Sequence, residues 1–230
     1  LLKNRTDMWE GVLDHPLMGK YYQERTGDLS KVVVPLLSAA NWGGQGLHPR
    51  GNFEGFTRSA SKQKWLEAHG GSHWAPFYTD YGVKLQKRFF DYFLKGVKNG
   101  WDKQPRVVLQ VRHPGEKFVE RNENEWPLKR TKWTKFYLDP AARSLGEQAP
   151  KSAGTVTYDG LGDGVTFSSA PLDRATEITG PSALQLWVSS ATTDADIFAV
   201  LRVFDPKGRE VVFQGALDPH TPIGQGWLRA

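Results

Sequence analysis

The chain has 230 residues, of which 39% are hydrophobic, so it is long enough to bury one large core or two smaller ones. A net charge of +5 is small for this length, and basic residues alternate with acidic ones, which argues against a nucleic-acid-binding face. The absence of cysteine excludes disulfides, thiol catalysis and cysteine-ligated zinc. No apolar run reaches the roughly 20 residues needed to cross a bilayer, so we expect a soluble protein and no membrane partner.

The sequence starts at Leu1 and no basic-then-apolar leader follows, so we expect a portion of a longer protein. Residues 32–40 are β-branched and then small, which is typical of a strand buried on both faces of a parallel sheet. Asn52 is placed to cap a helix that leads to a second strand at residues 64–69. This pattern predicts a βαβ unit whose strands end in glycine-rich turns.

The chain changes in character from Asn99, after one more helix. A helix is predicted over residues 81–95, capped by Thr79 or Asp80 and closed by Gly96. After a linker at residues 100–105, short runs rich in Val, Phe, Tyr and Trp predict strands at 106–112, 133–138, 155–158, 165–169, 183–190, 197–204 and 211–214. The sequence therefore predicts α/β plus all-β architecture, with an α/β domain over residues 1–104 and a sandwich or jelly roll over 105–230.

His73 lies in the second glycine-rich turn, after a predicted strand, where an imidazole projects into a cleft. Its unperturbed pKa near ~6.5 suits a general base, and the alternative is a loop histidine bonded to backbone. The remaining histidines lie beside proline or at a strand end, and none has zinc-site spacing, so we expect no metal and no cofactor. They are His15, His48, His69, His113 and His220.

A nucleophile is harder to place. A serine elbow requires Gly-x-Ser-x-Gly or a close variant, and the nearest strings, around Ser72 and Ser182, lack the final glycine. Asp194 and Asp196 suit turn capping better than calcium binding. Four tryptophans of the second half suit core packing, with sugar stacking as the alternative: Trp126, Trp133, Trp187 and Trp227.

Several motifs occur in an order that resembles the C-terminal part of CocE/NonD-type hydrolases, in the X-Pro dipeptidyl-peptidase (S15) superfamily. They extend over nearly the whole chain and are individually weak but jointly specific. They are DHP at residues 14–16, VPLL at 34–37 before Asn41 and Trp42, GGSH at 70–73, RFFDYFLKG at 88–96, NEWPL at 124–128, ITGP at 178–181 and LWVSS at 186–190.

The resemblance implies a partial α/β-hydrolase domain with a cap remnant, followed by a jelly roll, and a Ser-His-Asp triad. His73 matches the family's catalytic histidine, and the serine and its oxyanion hole correspond to no residue here. The family's aspartate falls on Gly44. Four explanations stay open: the alignment slips locally, Glu54 substitutes as the acid, the acid lies upstream, or this lineage has lost it.

The expected function is therefore part of a serine acyl hydrolase that acts on a small ester or peptide substrate, with the nucleophile outside this chain, which alone should be inactive. The competing expectation is a non-catalytic jelly-roll module that binds carbohydrate or a partner, on a hydrolase-like scaffold. Homo-oligomerisation is left open, and the cytoplasm is slightly favoured as the compartment although no residue fixes it.

Overall fold

The structure is a computed structural model that describes residues 7–230 and shows a mixed α/β fold with several sheets. The helices are α1 (Met8–Asp14), α2 (Lys20–Gln23), α3 (Pro49–Arg58), α4 (Ala75–Tyr78) and α5 (Asp80–Lys95). The strands are β1 (Leu36–Asn41), β2 (Lys64–His69), β3 (Val107–His113), β4 (Lys117–Glu123), β5 (Tyr137–Asp139), β6 (Ser144–Gly146), β7 (Asp196–Leu201) and β8 (Gly224–Arg229). No described helix combines the length and the apolar character needed to cross a bilayer.

The predicted βαβ unit is confirmed by β1, α3 and β2. The two strands are parallel, and their register runs from Leu36 opposite Lys64 to Asn41 opposite His69. The first strand begins at Leu36, later than predicted, because Pro35 has no N–H to donate to a neighbouring strand. The N–H of Leu36 makes the first such bond, to the carbonyl oxygen of Gln63 at 2.9 Å.

Helix α3 also begins at a different residue from the predicted one. Its first residue is Pro49, three residues before Asn52, because the fixed φ of proline suits the first helical position, where no N–H is needed. Ser38 then ties the helix to β1, since its hydroxyl donates to the backbone oxygen of Asn52 at 3.0 Å.

Helix α5 covers the sheet with aromatic side chains. The hydroxyl of Thr79 accepts from the N–H of Gly82 at the start of the helix, and Gly96 ends it with a φ of 66°, as the sequence predicts. Phe89 packs against Trp101 and Trp65, with ring centroids 5.2 and 6.3 Å apart. All three side chains are buried, and this cluster attaches the helix to β2.

The sheet continues beyond the predicted linker. Its strand order is β1-β2-β3-β4, in which β3 pairs parallel to β2 and β4 pairs antiparallel to β3. The strand predicted at residues 106–112 thus belongs to the same sheet as the βαβ unit. The domain boundary near residue 104 stays a prediction, and residues 1–6 lie outside the described residues.

The described chain forms two compact units. One contains the residues up to Trp126 together with Ala183–Ala230, and it includes the antiparallel pair of β7 and β8. The other is Pro127–Ser182, with an antiparallel pair of β5 and β6. The runs at residues 155–158 and 183–190 form no strand, because β-branched and aromatic residues become strands only where a partner strand pairs with them.

Candidate active site

Two turns at the carboxyl ends of β1 and β2 build the candidate site. Residues 43–46 form the glycine turn, and residues 70–73 form the histidine turn. Asn41, the buried last residue of β1, donates from Nδ2 to the carbonyl oxygen of Gly71 at 3.1 Å. The N–H of Trp42 donates to the carbonyl oxygen of His69 at 2.9 Å. These bonds hold the histidine turn against the end of β1.

His73 is the last residue of the histidine turn and lies just before α4. Its ring lies against that of His48, with centroids 4.9 Å apart. Burial and then the charges of His48 and His69 lower the pKa of His73 below its ordinary value of 6.5. The imidazole is therefore neutral at physiological pH and able to accept a proton.

Nδ1 of His73 is buried and has no hydrogen-bond partner among the described residues. Gly44 lies directly beside it, because a Cβ built on Gly44 lies 3.3 Å from this nitrogen. The same Cβ lies 3.3 Å from the backbone oxygen of Asn41 and from Cδ of Pro49. The position that the resemblance assigns to an acid is thus adjacent to His73 and carries no side chain.

The structure does not bring Glu54 to His73. Glu54 lies on α3 with its side chain 50% exposed, and it forms an ion pair with Arg58 at 3.7 Å. That pairing is the common arrangement of opposite charges four residues apart on a helix. Glu54 does not line the cavity that contains His73.

A buried carboxylate is nevertheless present, and the sequence reasoning missed it. Oε2 of Glu67 lies 2.7 Å from Nδ1 of His69, and the hydroxyl of Tyr81 donates to Oε1 at 3.2 Å. Burial, followed by the neighbouring charge of Glu67, raises the pKa of Tyr81. Alternation along β2 is the signal that finds this group, because Glu67 and His69 lie two residues apart and share a face of the sheet.

A cavity of about 840 Å³ lies over this edge of the sheet. Its walls include His48, His69 and His73, together with Glu67 and Tyr81. Most of the remaining lining is apolar and comes from β1, α4, α5 and the loops that contain Leu29, Val32 and Leu47. A site with this size and a few convergent polar groups suits a small organic molecule.

The C-terminal part of the same compact unit packs against the glycine turn. The carbonyl oxygen of Gly43 accepts from the N–H of Ala216 at 2.8 Å, and Nε2 of Gln45 donates to the backbone oxygen of Pro222 at 3.0 Å. Gly43 has no room for a side chain, because a Cβ there overlaps the backbone oxygen of Gln214. Residues 214–222 therefore fix the turn beside His73.

His15, His113 and His220 do not line this cavity. His15 stacks on Tyr21, with centroids 4.0 Å apart, and His113 ends β3. Over residues 7–230, no three His, Asp or Glu side chains are arranged to hold a metal ion.

A comparison with family models matches the part of the chain that follows these turns. Residues 99–230, more than half of the chain, match the X-Pro dipeptidyl-peptidase C-terminal non-catalytic domain. The chain belongs to this family. Within it, the chain corresponds to the C-terminal portion of CocE/NonD-type proteins.

Named relatives of this family member are hydrolases. It is 28% identical to the cocaine esterase of Rhodococcus sp. (strain MB1 Bresler) over 165 residues. This matched segment covers 55% of this chain and 28% of the esterase. Two crystal structures of a CocE/NonD family hydrolase from Staphylococcus aureus superpose with TM-scores of 0.84 and 0.85 at 30% identity. They match 97% of this chain and 41% of their own, so the chain spans less than half the length of these relatives.

Proposed function

We propose that this chain is the histidine-bearing, C-terminal part of a serine acyl hydrolase that cleaves an ester or an N-terminal peptide bond of a small substrate. One observation carries the proposal: His73 is an imidazole with a lowered pKa in the wall of a cavity at the carboxyl edge of a parallel sheet. The relationship to a cocaine esterase supports the chemical class.

In this proposal His73 is the general base. A serine from outside these 230 residues attacks the substrate carbonyl, and Nε2 of His73 takes the serine proton and passes it to the leaving group. An oxyanion hole, also outside these residues, stabilises the negative charge of the tetrahedral intermediate. A neutral imidazole is the form that this step requires, and the low pKa of His73 keeps it in that form.

The proposed architecture divides the chain near residue 104. Residues 1–104 supply the last strands and helices of an α/β-hydrolase domain with a cap remnant, and residues 105–230 supply a jelly roll. The parallel β1 and β2, joined by α3, support the first assignment. The family match over residues 99–230 supports the second.

A second candidate function is a binding module built from residues 105–230. Two observations favour it: the family's description as non-catalytic, and the exposure of Trp187, which is 89% accessible. An exposed tryptophan ring offers a stacking surface to a sugar. A glycan-binding screen of the full chain, compared with Trp187→Ala, tests this function separately from hydrolysis.

The hydrolase proposal is tested in the complete protein with a p-nitrophenyl ester. We expect His73→Ala to lower kcat by about a thousandfold or more, because the serine loses its base. His113→Ala is the matched control, since His113 lies outside the cavity, and it should leave kcat unchanged. Equal activity of the two variants would overturn the proposal.

The 230-residue chain by itself should show no turnover. Hydrolysis by this chain that His73→Ala abolishes would contradict the placement of the nucleophile outside it.

A further inference from the structure

Among residues 7–230, three buried polar atoms of cavity-lining side chains lack partners: Oδ1 of Asn41, Nδ1 of His73 and Nε2 of His69. Nδ1 of His69 donates to the carboxylate of Glu67, so Nε2 of the neutral ring is an acceptor, and the complementary atoms are those of Asn41 and His73. Oδ1 of Asn41 is a hydrogen-bond acceptor, and Nδ1 of His73 is a donor in one of the two neutral tautomers. Among residues 7–230, neither atom has a hydrogen-bond partner. Asn41 is 5% exposed, so water does not readily satisfy its oxygen. A buried acceptor without a donor is costly and calls for an explanation.

The two side chains belong to the same small neighbourhood. Nδ2 of Asn41 lies 3.1 Å from the carbonyl oxygen of Gly71 and 3.5 Å from that of Ser72, the residue before His73. A Cβ on Gly43 lies 3.1 Å from Oδ1 of Asn41, and one on the adjacent Gly44 lies 3.3 Å from Nδ1 of His73. Asn41 and His73 therefore both adjoin the glycine turn, and both line the cavity.

Of the residues that the structure describes, the two carboxylates considered for His73 have other partners. Glu67 is bonded to His69 and Tyr81, and Glu54 is exposed and paired with Arg58. The amide oxygen of Asn41 is an unpartnered acceptor on a side chain that lines the same cavity. Asparagine does this work in cysteine proteases with a Cys-His-Asn arrangement, where an amide orients the imidazole. In this structure the two atoms are not hydrogen-bonded to each other, and hydrogen bonds of this kind are often long or poorly aligned in the absence of substrate.

We propose that Asn41 is a positioning residue for His73, and that its Oδ1 accepts the hydrogen bond from Nδ1–H and thereby selects the tautomer with a free Nε2. The use of that Nε2 as a base rests on the proposed function, but the hydrogen bond itself does not. Asn41 takes over the orienting role of a triad acid without its charge. Unlike a carboxylate, the neutral amide leaves the charge of the imidazolium uncompensated.

The tautomer of His73 in the full chain tests this proposal without reference to activity. The ¹⁵N chemical shifts of its two ring nitrogens, measured above the pH at which it titrates, report which nitrogen carries the proton. We expect Nδ1–H to dominate. Asn41→Ala removes the acceptor and should change the tautomer ratio by about fivefold or more towards Nε2–H.

Asn41→Asp separates positioning from a merely structural role. It keeps an oxygen at Oδ1 but loses the Nδ2 donor that holds Gly71. If Asn41 acts through Oδ1, Asn41→Asp retains the Nδ1–H tautomer. If Asn41 only braces the turn, Asn41→Asp loses this tautomer as Asn41→Ala does, and the proposal is overturned.

Asn99→Ala controls for the loss of a partly buried amide elsewhere. Asn99 also donates from Nδ2 to a backbone oxygen, that of Arg88 at 2.7 Å, and it lies outside the cavity. This variant should leave the His73 tautomer unchanged. An Nε2–H tautomer in the unsubstituted chain, or the same ratio in Asn41→Ala, would also overturn the proposal. Failure of the ester assay with a confirmed tautomer would reject the hydrolase function alone.

Discussion

Oε2 of Glu67 lies 2.7 Å from Nδ1 of His69, so the buried carboxylate of this cavity is bonded to the histidine four residues before His73. A carboxylate on Nδ1 is the arrangement expected of a catalytic acid and base. Here it occurs at His69, whereas Nδ1 of His73 faces Gly44. The sheet edge thus carries two imidazoles with different electrostatic environments.

The Glu67–His69 pair should contribute strongly to stability. Its side chains are only 3% and 10% exposed, so removing the carboxylate leaves the buried Nδ1–H of His69 and the hydroxyl of Tyr81 without this acceptor. We expect Glu67→Ala to lower the free energy of unfolding by about 2–4 kcal/mol. Glu54→Ala is the matched control and should cost at most about 0.5 kcal/mol, because its ion pair is solvated. Urea denaturation measures both, and similar losses would contradict the importance of burial.

A carboxylate placed at Gly44 should reach His73. Gly44→Asp should raise the pKa of His73, because a negative charge next to Nδ1 stabilises the imidazolium. The Cβ contacts of 3.3 Å require the neighbours to move by a few tenths of an ångström, and Gly44→Ala controls for that movement. NMR titration of the His73 ring measures the effect. A pKa in Gly44→Asp no higher than in Gly44→Ala would show that the carboxylate points elsewhere.

The pKa of His73 should depend on His48. His48→Gln removes the second largest cause of its lowering, after burial, so the pKa should rise towards 6.5. His15→Gln is the control, because His15 stacks on Tyr21 outside the cavity. The same NMR titration decides the matter, and an unchanged pKa in His48→Gln would exclude a charge interaction between the two rings.

Stability should fall as the pH drops through 6.5, in part because of His73. Its folded-state pKa is lower than its unfolded value, so the unfolded chain binds more protons in the window between them. The contribution is therefore present above pH 6.5 and is lost as the pH falls towards the lowered pKa. His73→Gln should flatten this dependence in denaturation curves at several pH values. If the stability of His73→Gln depends on pH as steeply as that of the control His113→Gln, His73 does not contribute to the pH dependence.

Substituting alanine for two glycines in helices should change the free energy of unfolding in opposite directions. A Cβ on Gly82 overlaps the backbone oxygen of Pro76, so Gly82→Ala forces α4 and α5 apart and should cost about 1–3 kcal/mol. Gly55 on α3 has open space around it, so Gly55→Ala should add roughly 0.5–1 kcal/mol through helix propensity. Thermal unfolding of the two variants compares them, and a gain in Gly82→Ala would refute the packing argument.

Local chemistry along the chain determined much of the fold. The strand at residues 64–69 and the α5 boundaries at Thr79 and Gly96 follow from apolar periodicity and capping residues, which act within a few positions. The position of the histidine turn could be predicted for the same reason, because a glycine-rich segment directly after a buried strand lies at the edge of the sheet. Residues 183–190 show the limit, because strand formation depends on a partner and not on composition.

The electrostatic surroundings of His73 were decided only by the tertiary structure. The family resemblance placed Gly44 at the position of the acid, but the sequence did not reveal that Tyr81 donates to Glu67 or that Oδ1 of Asn41 is left without a donor. Those facts depend on the parallel register that sets Asn41 opposite His69 and on the packing of α5 against β2. Hydrogen-bond partners more than 10 residues apart are set by such packing, and single-chain periodicity carries no record of it.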